Sequence, residues 1–172
     1  MDYERFHLRC AIEAIADRAE LARAVDVIRT RVVAYRPGAR VSHFLVQPMV
    51  KGVGEALIGF RRDAQIGPVV MLAAGGLYTE LYRDRSLRLA PVDREGACAM
   101  IEEVCAMRRL SGPRGQPRGD LEALADAIVA VSRLASLNGP LILEAEVNPF
   151  LVLKEGEGGV AVDGLVRVAS PQ

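Results

Sequence analysis

Tryptophan is absent from this 172-residue chain, aromatic residues make up only 5% of it, and it holds three cysteines and two histidines. Three cysteines cannot all pair, so a disulfide framework is excluded. A reducing cytoplasm is the expected compartment. Long apolar runs are missing too. None could span a bilayer, and Met1-Asp2-Tyr3-Glu4-Arg5 does not read as a signal peptide, so no membrane role is expected. Neither sign of charge dominates: Lys+Arg and Asp+Glu are 22 each, for a net charge of zero. That balance argues against a nucleic-acid or anionic-membrane surface as the main role. There is no internal repeat and no low-complexity tract.

What is present is an ordinary globular composition, 51% hydrophobic and 26% charged, in enough chain for one domain or two small lobes with a real core. Phe6 to Ile15 predicts a strand containing Cys10. Asp17 has the position of an N-cap, and Leu21, Val25, Ile28 and Val32 mark one face of a helix that Pro37-Gly38 stops. Val41 to Val50 predicts a strand, Lys51-Gly52-Val53-Gly54 a Gly-rich turn, and Glu55 to Arg62 a returning strand. After Gly67-Pro68, Val69 to Leu72 reads as a buried strand, and Leu87 to Ala90 as extended. Asp93 caps a helix with Ala97, Met100, Ile101, Val104 and Met107 inward. Cys98 and Cys105 lie two turns apart on it, as buried small hydrophobes rather than a bridge. Ser111 to Gly119 is a loop. Asp120 caps a last helix carrying Leu121, Leu124, Ile128, Val131 and Leu134. Strands joined by hairpins and intermixed with helices predict an α+β fold with a mainly antiparallel sheet.

The end of the chain holds the sharpest pattern. Leu141 to Lys154 and Val160 to Val168 are apolar, β-branched runs flanking Glu155-Gly156-Glu157-Gly158-Gly159, a β-hairpin signal. Side chains alternate along a strand, so Glu144, Glu146 and Asn148 share one face, and Ala145 and Val147 the other. On the return strand, alternation sets Val160 with Val162 and Ala161 with Asp163. Two registers are open. A four-residue loop that pairs Lys154 with Gly159 sets Asn148 opposite Leu165, with Asp163 diagonally beside it. A two-residue loop at Glu155-Gly156 sets Asn148 directly opposite Asp163. Either way Glu146, Asn148 and Asp163 share a face, and three oxygen donors on a rigid hairpin suit a hard cation such as Mg²⁺. Pro149 has no N–H, so this strand is an edge, a bulge or locally irregular there.

Two other clusters suit a nucleotide. In Gln47-Pro48-Met49-Val50-Lys51-Gly52-Val53-Gly54-Glu55, a strand ending in a Gly turn can offer backbone groups to a purine edge. The acid that follows can accept hydrogen bonds from ribose hydroxyls. A plain hairpin explains the same pattern. Ala73-Ala74-Gly75-Gly76, followed by Glu80, Arg85 and Arg88, combines glycines that permit close backbone approach with arginines suited to phosphate oxygens. Solvated arginines are the default expectation.

In this order the motifs resemble the ATP-grasp domain of the ADP-forming acyl-CoA synthetases, the acetate–CoA ligase family, and more distantly the succinyl-CoA synthetase β subunit. The matching text is Leu45 to Gly52, Gly67-Pro68-Val69-Val70-Met71, Gly75-Gly76, Arg88-Leu89-Ala90-Pro91, Gly115-Gln116-Pro117, Glu146-Val147-Asn148-Pro149 and Val160-Ala161-Val162-Asp163, over roughly residues 15 to 168. The resemblance implies an ATP-grasp-like fold in which ATP or ADP lies between two antiparallel sheets. It also implies transfer of the γ-phosphoryl to a histidine on a CoA-binding partner domain, with which an acyl phosphate and then acyl-CoA are interconverted. Gln47, Pro48, Met49 and Val50 take the place of the adenine hinge, and Glu55 that of the ribose contact. Asn148 and Asp163 match the metal ligands, Glu146 is a third ligand or supports them, and Arg88 offsets phosphate charge. The implied cofactors are Mg²⁺ and ATP/ADP, with CoA handled by CoA-binding or ligase domains in cis or on a separate subunit. A homo-oligomer is left open.

The departures set further expectations. The family's ATP-binding Lys and the Gly-Gly pair that follows it have no counterpart here. Phe6-His7-Leu8-Arg9-Cys10-Ala11 stands in that region, and His7 lacks the family's neighbours. The N-terminal part of the grasp is therefore expected to be incomplete, and residues 1–172 to be one portion of a larger enzyme, a split subunit, or a degenerate relative. The first reading is the nucleotide-binding portion of an acyl-CoA synthetase, inactive alone. The alternative is a non-catalytic module with an assembly or regulatory role.

Overall fold

The computed structural model describes residues 11–12, 14–75, 84–139 and 141–169. The chain divides into two compact units, Met1–Met49 and Val50–Gln172.

In the first unit, α1 (Arg18–Tyr35) begins where the sequence places its cap. Asp17 is extended, and its carboxylate accepts the Glu20 N–H at 2.8 Å. That satisfies one of the four donors a helix start leaves without partners. Pro37 has no amide to continue the ladder, and the last bond runs from Arg36 N–H to Val32 C=O. Leu21, Ala24, Val25, Ile28 and Val32 are the protected positions, as the periodicity predicts. The strand expected over Val41 to Val50 is not formed. A strand exists only through a neighbour that completes its hydrogen bonds, and no described strand pairs with this run. Leu45, Val46 and Met49 are accordingly exposed. The strand expected over Phe6 to Ile15, with Cys10 and His7, falls mostly outside the described residues; residues 11, 12, 14 and 15 are in neither helix nor strand.

The second unit is an antiparallel sheet covered on one face by helices. Its strands are β1 (Gly54–Asp63), β2 (Gly67–Ala74), β3 (Arg85–Leu89), β4 (Ile142–Val152), β5 (Gly159–Ala161) and β6 (Gly164–Val168). The order is β3-β2-β1-β4-β5, with β6 continuing beyond β5 along the same side of β4. Every pairing is antiparallel. β1 thus pairs with β2 and β4, not with the run before it. The helices α2 (Arg94–Glu103), α3 (Cys105–Arg108) and α4 (Leu121–Ser132) supply Met100, Ile101, Met107, Leu124 and Ile128 to a core shared with Ile58, Val70, Leu72, Phe150 and Val152.

Asp93 and Asp120 cap α2 and α4 as expected. The helix predicted to run through Cys105 instead stops at Glu103. Val104 is extended, and the Asp84 carboxylate accepts the N–H groups of Cys105 and Ala106 at 2.8 and 2.7 Å, which starts a new helical turn. All five residues predicted to face inward are buried, but Cys105 is exposed and Cys98 half-buried. Burial survives the break because Val104 and Met107 still point under the sheet.

β4 carries the irregularity that Pro149 requires. Ala56 pairs with Phe150, yet Ile58 pairs with Val147, so Leu57 alone faces both Asn148 and Pro149. This is a bulge, which lets a proline sit in an interior strand without costing the ladder a donor.

Candidate functional site

The closing hairpin forms with the two-residue turn at Glu155-Gly156. Lys154 C=O accepts Glu157 N–H at 2.8 Å, and Leu153 N–H reaches Gly158 C=O at 3.1 Å. The offset then holds unbroken. Val152 pairs with Gly159 and Phe150 with Ala161, Val162 N–H donates to Pro149 C=O, and Asn148 N–H donates to Asp163 C=O at 3.1 Å. Asn148 therefore lies opposite Asp163 rather than Leu165. Glu146 shares its side, since Asn148 Nδ2 donates to Glu146 Oε1 at 3.2 Å. That bond turns the amide oxygen of Asn148 away from the carboxylate. Asp163 Oδ1 accepts the Gly164 N–H at 2.8 Å. One detail of the alternation fails. Ala161 pairs with Phe150 on the helix-covered face, while Asp163 pairs with Asn148 on the second face, because the return strand is interrupted at Val162-Asp163 beside the bulge.

Two carboxylates and an amide are hard oxygen donors. Among the described residues, no three His, Cys, Asp or Glu side chains group closely enough to cage an ion. The donor set fits a cation that keeps waters and draws further ligands from a substrate, as Mg²⁺ does.

The tip of the hairpin is held by Asp120. Its Oδ1 caps α4 by accepting Ala123 N–H at 2.9 Å, while Oδ2 accepts Gly156 N–H at 3.0 Å and Gly158 N–H at 2.9 Å. Those two glycines have φ of +82° and +85°, a left-handed backbone that only glycine adopts without strain. The Ala123 amide, then those of Gly158 and Gly156, hold the Asp120 carboxyl below its ordinary range against the opposing effect of burial. A depressed carboxyl adds stability that is complete above its unfolded value of about 3.9 and is lost as pH falls through the folded value. Asp120→Ala is expected to cost about 1–3 kcal/mol at neutral pH. Urea unfolding should show the gap between wild type and variant closing below about pH 4.

The nucleotide candidates divide. Glu55 opens β1 with an exposed side chain on the second face, and Gly75 lies against it: Gly75 N–H donates to Glu55 C=O at 2.9 Å. A Cβ on Gly75 would sit 2.8 Å from Glu55 Cβ, so the space this glycine leaves is taken by Glu55's own main chain. The Lys51-Gly54 turn is likewise packed close. A Cβ on Gly52 would meet Val152 C=O at 2.8 Å, and Val53 N–H donates to that same carbonyl. Val50 is half-buried, whereas Gln47, Pro48 and Met49 belong to the first unit and are exposed there. Gly76 and Glu80 lie outside the described residues.

Arg88 is not brought to this face. It pairs with Val70, whose side chain is in the core, and its guanidinium is bonded to Glu103 of α2 and to Ser86 Oγ. Bonds from Arg88 first, then Ser86, hold the Glu103 carboxyl below its usual range, and Glu103 raises the Arg88 guanidinium. Its charge is thus matched within the fold. Arg85, paired with Ala73, is the arginine that register puts on the face of Glu55 and Glu146.

A sequence model described as the ATP-grasp domain matches residues 5–168. The chain belongs to the ATP-grasp family. Among curated relatives it is 42% identical over 137 residues to acetate–CoA ligase [ADP-forming] I of Archaeoglobus fulgidus, which covers 80% of this chain and 20% of that protein. It is 35% identical over 147 residues to the β subunit of acetate–CoA ligase [ADP-forming] II of Pyrococcus furiosus, covering 86% and 62%. This ATP-grasp chain therefore spans less than two thirds of each of those relatives. Among solved structures, PH1788 from Pyrococcus horikoshii superposes with a TM-score of 0.83 at 32% identity, over 91% of this chain and 66% of that one. An acetyl-coenzyme A synthetase of Ca. Korarchaeum cryptofilum, in complex with coenzyme A and Mg-AMPPCP, superposes at 0.76 and 32%, over 92% and 67%.

Within the ATP-grasp sheet, sequence reasoning found the hairpin, its acids and the caps. It missed the second duty of Asp120, which reaches a turn 36 residues away. The one available signal was a turn with glycine at both Gly156 and Gly158, whose amides had no acceptor nearby in sequence.

Proposed function

We propose that this chain is the nucleotide- and Mg²⁺-binding ATP-grasp portion of an ADP-forming acyl-CoA synthetase. The observation that carries the reading is the pairing of Asn148 against Asp163, with Glu146 beside them, in a chain of this family. In the parent enzyme, acyl-CoA, ADP and phosphate would interconvert with acid, CoA and ATP by way of a phosphohistidine on a CoA-binding domain or subunit. Glu55 orients the ribose by accepting hydrogen bonds from its hydroxyls. Backbone groups of Gln47, Pro48, Met49 and Val50 read the adenine edge, a role that rests on the sequence resemblance. Asn148 and Asp163 would hold the Mg²⁺, and the Glu146 carboxylate orients the Asn148 amide. Arg85 takes the phosphate-facing role in place of Arg88. A Mg²⁺ held by these residues would supply positive charge against the phosphate oxygens during phosphoryl transfer. No described helix is long and apolar enough to cross a membrane, which is compatible with this role.

Calorimetric titration of ATP into the chain tests the reading, once with Mg²⁺ and once with EDTA. Binding that tightens with Mg²⁺ is the expected result. No heat even at millimolar nucleotide would mean that these residues do not form a competent site by themselves.

A further inference from the structure

Asn148 faces Asp163 in only one of the two hairpin registers that the sequence permits. In the other, with Lys154 paired to Gly159 across four loop residues, the partner of Asn148 is Leu165. A one-residue slip would turn every side chain to the wrong face, and burial would forbid it. A two-residue slip returns each side chain to its own face, so apolar patterning separates these registers poorly. Specific contacts have to favour one turn over the other.

Packing contributes at one point: a Cβ on Gly159 would lie 2.4 Å from the Phe150 ring, so that pair prefers the observed offset. Arg167, paired across the strands with Glu144 and bonded to its carboxylate at 3.1 Å, favours the same offset from the exposed far end. The polar contribution at the turn itself comes from Asp120. Residues 118–120 run antiparallel to 153–155. Glu155 N–H donates to Arg118 C=O at 3.0 Å, Gly119 bridges Lys154, and Asp120 N–H donates to Leu153 C=O at 2.9 Å. From that anchored position, Oδ2 takes the amides of both Gly156 and Gly158, which the tight turn aims at one atom. The same carboxylate is fixed at the other end by the start of α4. The tip is thereby tied to the rigid helix layer, and the offset set there carries down to Asn148 and Asp163 without a slip.

We infer that Asp120 is a positioning residue for the proposed metal pair: by clamping the Gly156 and Gly158 amides it selects the register in which Asn148 and Asp163 stand opposite each other. This rests on the reading of Asn148 and Asp163 as metal ligands. Asp120 touches neither nucleotide nor ion in this scheme and acts only through the turn.

The test uses the full chain with Asp120→Asn and Asp120→Ser. Both keep an oxygen to cap α4, and both remove the charged oxygen that takes the two glycine amides. Two quantities are read: cross-strand backbone NOEs of Asn148, to Asp163 or to Leu165, and ATP affinity with Mg²⁺ and in EDTA. The expected result is a weakened Asn148–Asp163 contact and a loss of about tenfold in the Mg²⁺-dependent gain in affinity, within the range for residues that support metal ligands, with affinity in EDTA unchanged. Variants that keep the Asn148–Asp163 contact overturn the inference, whatever their affinity. A contact that weakens while the Mg²⁺ gain stays whole upholds the register role and removes the metal assignment instead. Wild-type chain without any Mg²⁺ gain sinks the functional reading alone, and the NOEs still decide the role of Asp120. If neither variant folds, amide exchange in wild type decides: Gly156 and Gly158 protected like α4 uphold the clamp, and exchange at the rate of an open turn overturns it.

Discussion

Replacing Asn148 and Asp163 together by alanine is expected to abolish the Mg²⁺-dependent part of ATP affinity and to leave binding in EDTA nearly unchanged. The pair faces one another across a backbone hydrogen bond, Asn148 N–H to Asp163 C=O, and alanine preserves both partners of that bond. So do the neighbouring bonds, from Val162 N–H to Pro149 C=O and from Leu153 N–H to Gly158 C=O. The hairpin should therefore stay folded while the oxygens that would contact the ion are gone. Groups that merely support a metal ligand are worth about 10–100-fold in affinity, so removal of two ligands is expected to exceed about 100-fold. Glu146 loses the Asn148 amide as a partner and is left as a single carboxylate. Calorimetry on the double variant, with and without Mg²⁺, gives the answer. A Mg²⁺ gain that survives intact would place the ion elsewhere in the chain.

The second large effect is on stability. Ile58 sits in the middle of the central strand β1, fully buried, between Leu72 of β2 and Val147 of β4, on the face that α4 packs against. Ile58→Ala removes the apolar atoms on which the helix layer and both strand neighbours close, and a sheet hydrogen-bonded on either side cannot collapse far to fill the space. The expected cost is about 2–5 kcal/mol. Leu89→Ala is the matched control, on the edge strand β3 and 63% exposed, and should change stability by less than about 0.5 kcal/mol. Urea denaturation of the two variants measures the contrast. Equal, small effects would mean that the helices do not pack on this face of the sheet.

Much of this architecture is legible along the chain, because the signals concerned are local. Asp17, Asp93 and Asp120 lie three residues before the amides they cap. The inward positions of α2 and α4 follow from a 3.6-residue period, and the alternation of Glu144, Ala145, Glu146 and Val147 from a two-residue one. The missing N–H of Pro149 calls for an irregularity, and the bulge is there.

The features that could not be read along the chain share a cause. Val41 to Val50 has the composition of a strand but no described strand to pair with, and pairing is a property of two segments. Arg88 looked free for phosphate because Glu103, which takes its charge, is on another element. Gly75 looked like room for a ligand, and the room is filled by the backbone of Glu55. The helix through Cys105 was continuous on paper until Asp84 captured its amides.

By itself, then, the sequence determined the helix starts, the turn residues, the face on which Glu146 and Asn148 lie, and, through its ordered motifs, the family. These rest on interactions within a few residues or on text shared with relatives. Tertiary structure alone decided that β1 lies between β2 and β4, that Arg85 rather than Arg88 shares the face of Glu55, and that Asn148 meets Asp163 rather than Leu165. Each of those outcomes is set by hydrogen bonds and packing between distant segments, whose free energy exists only once the chain has brought them together.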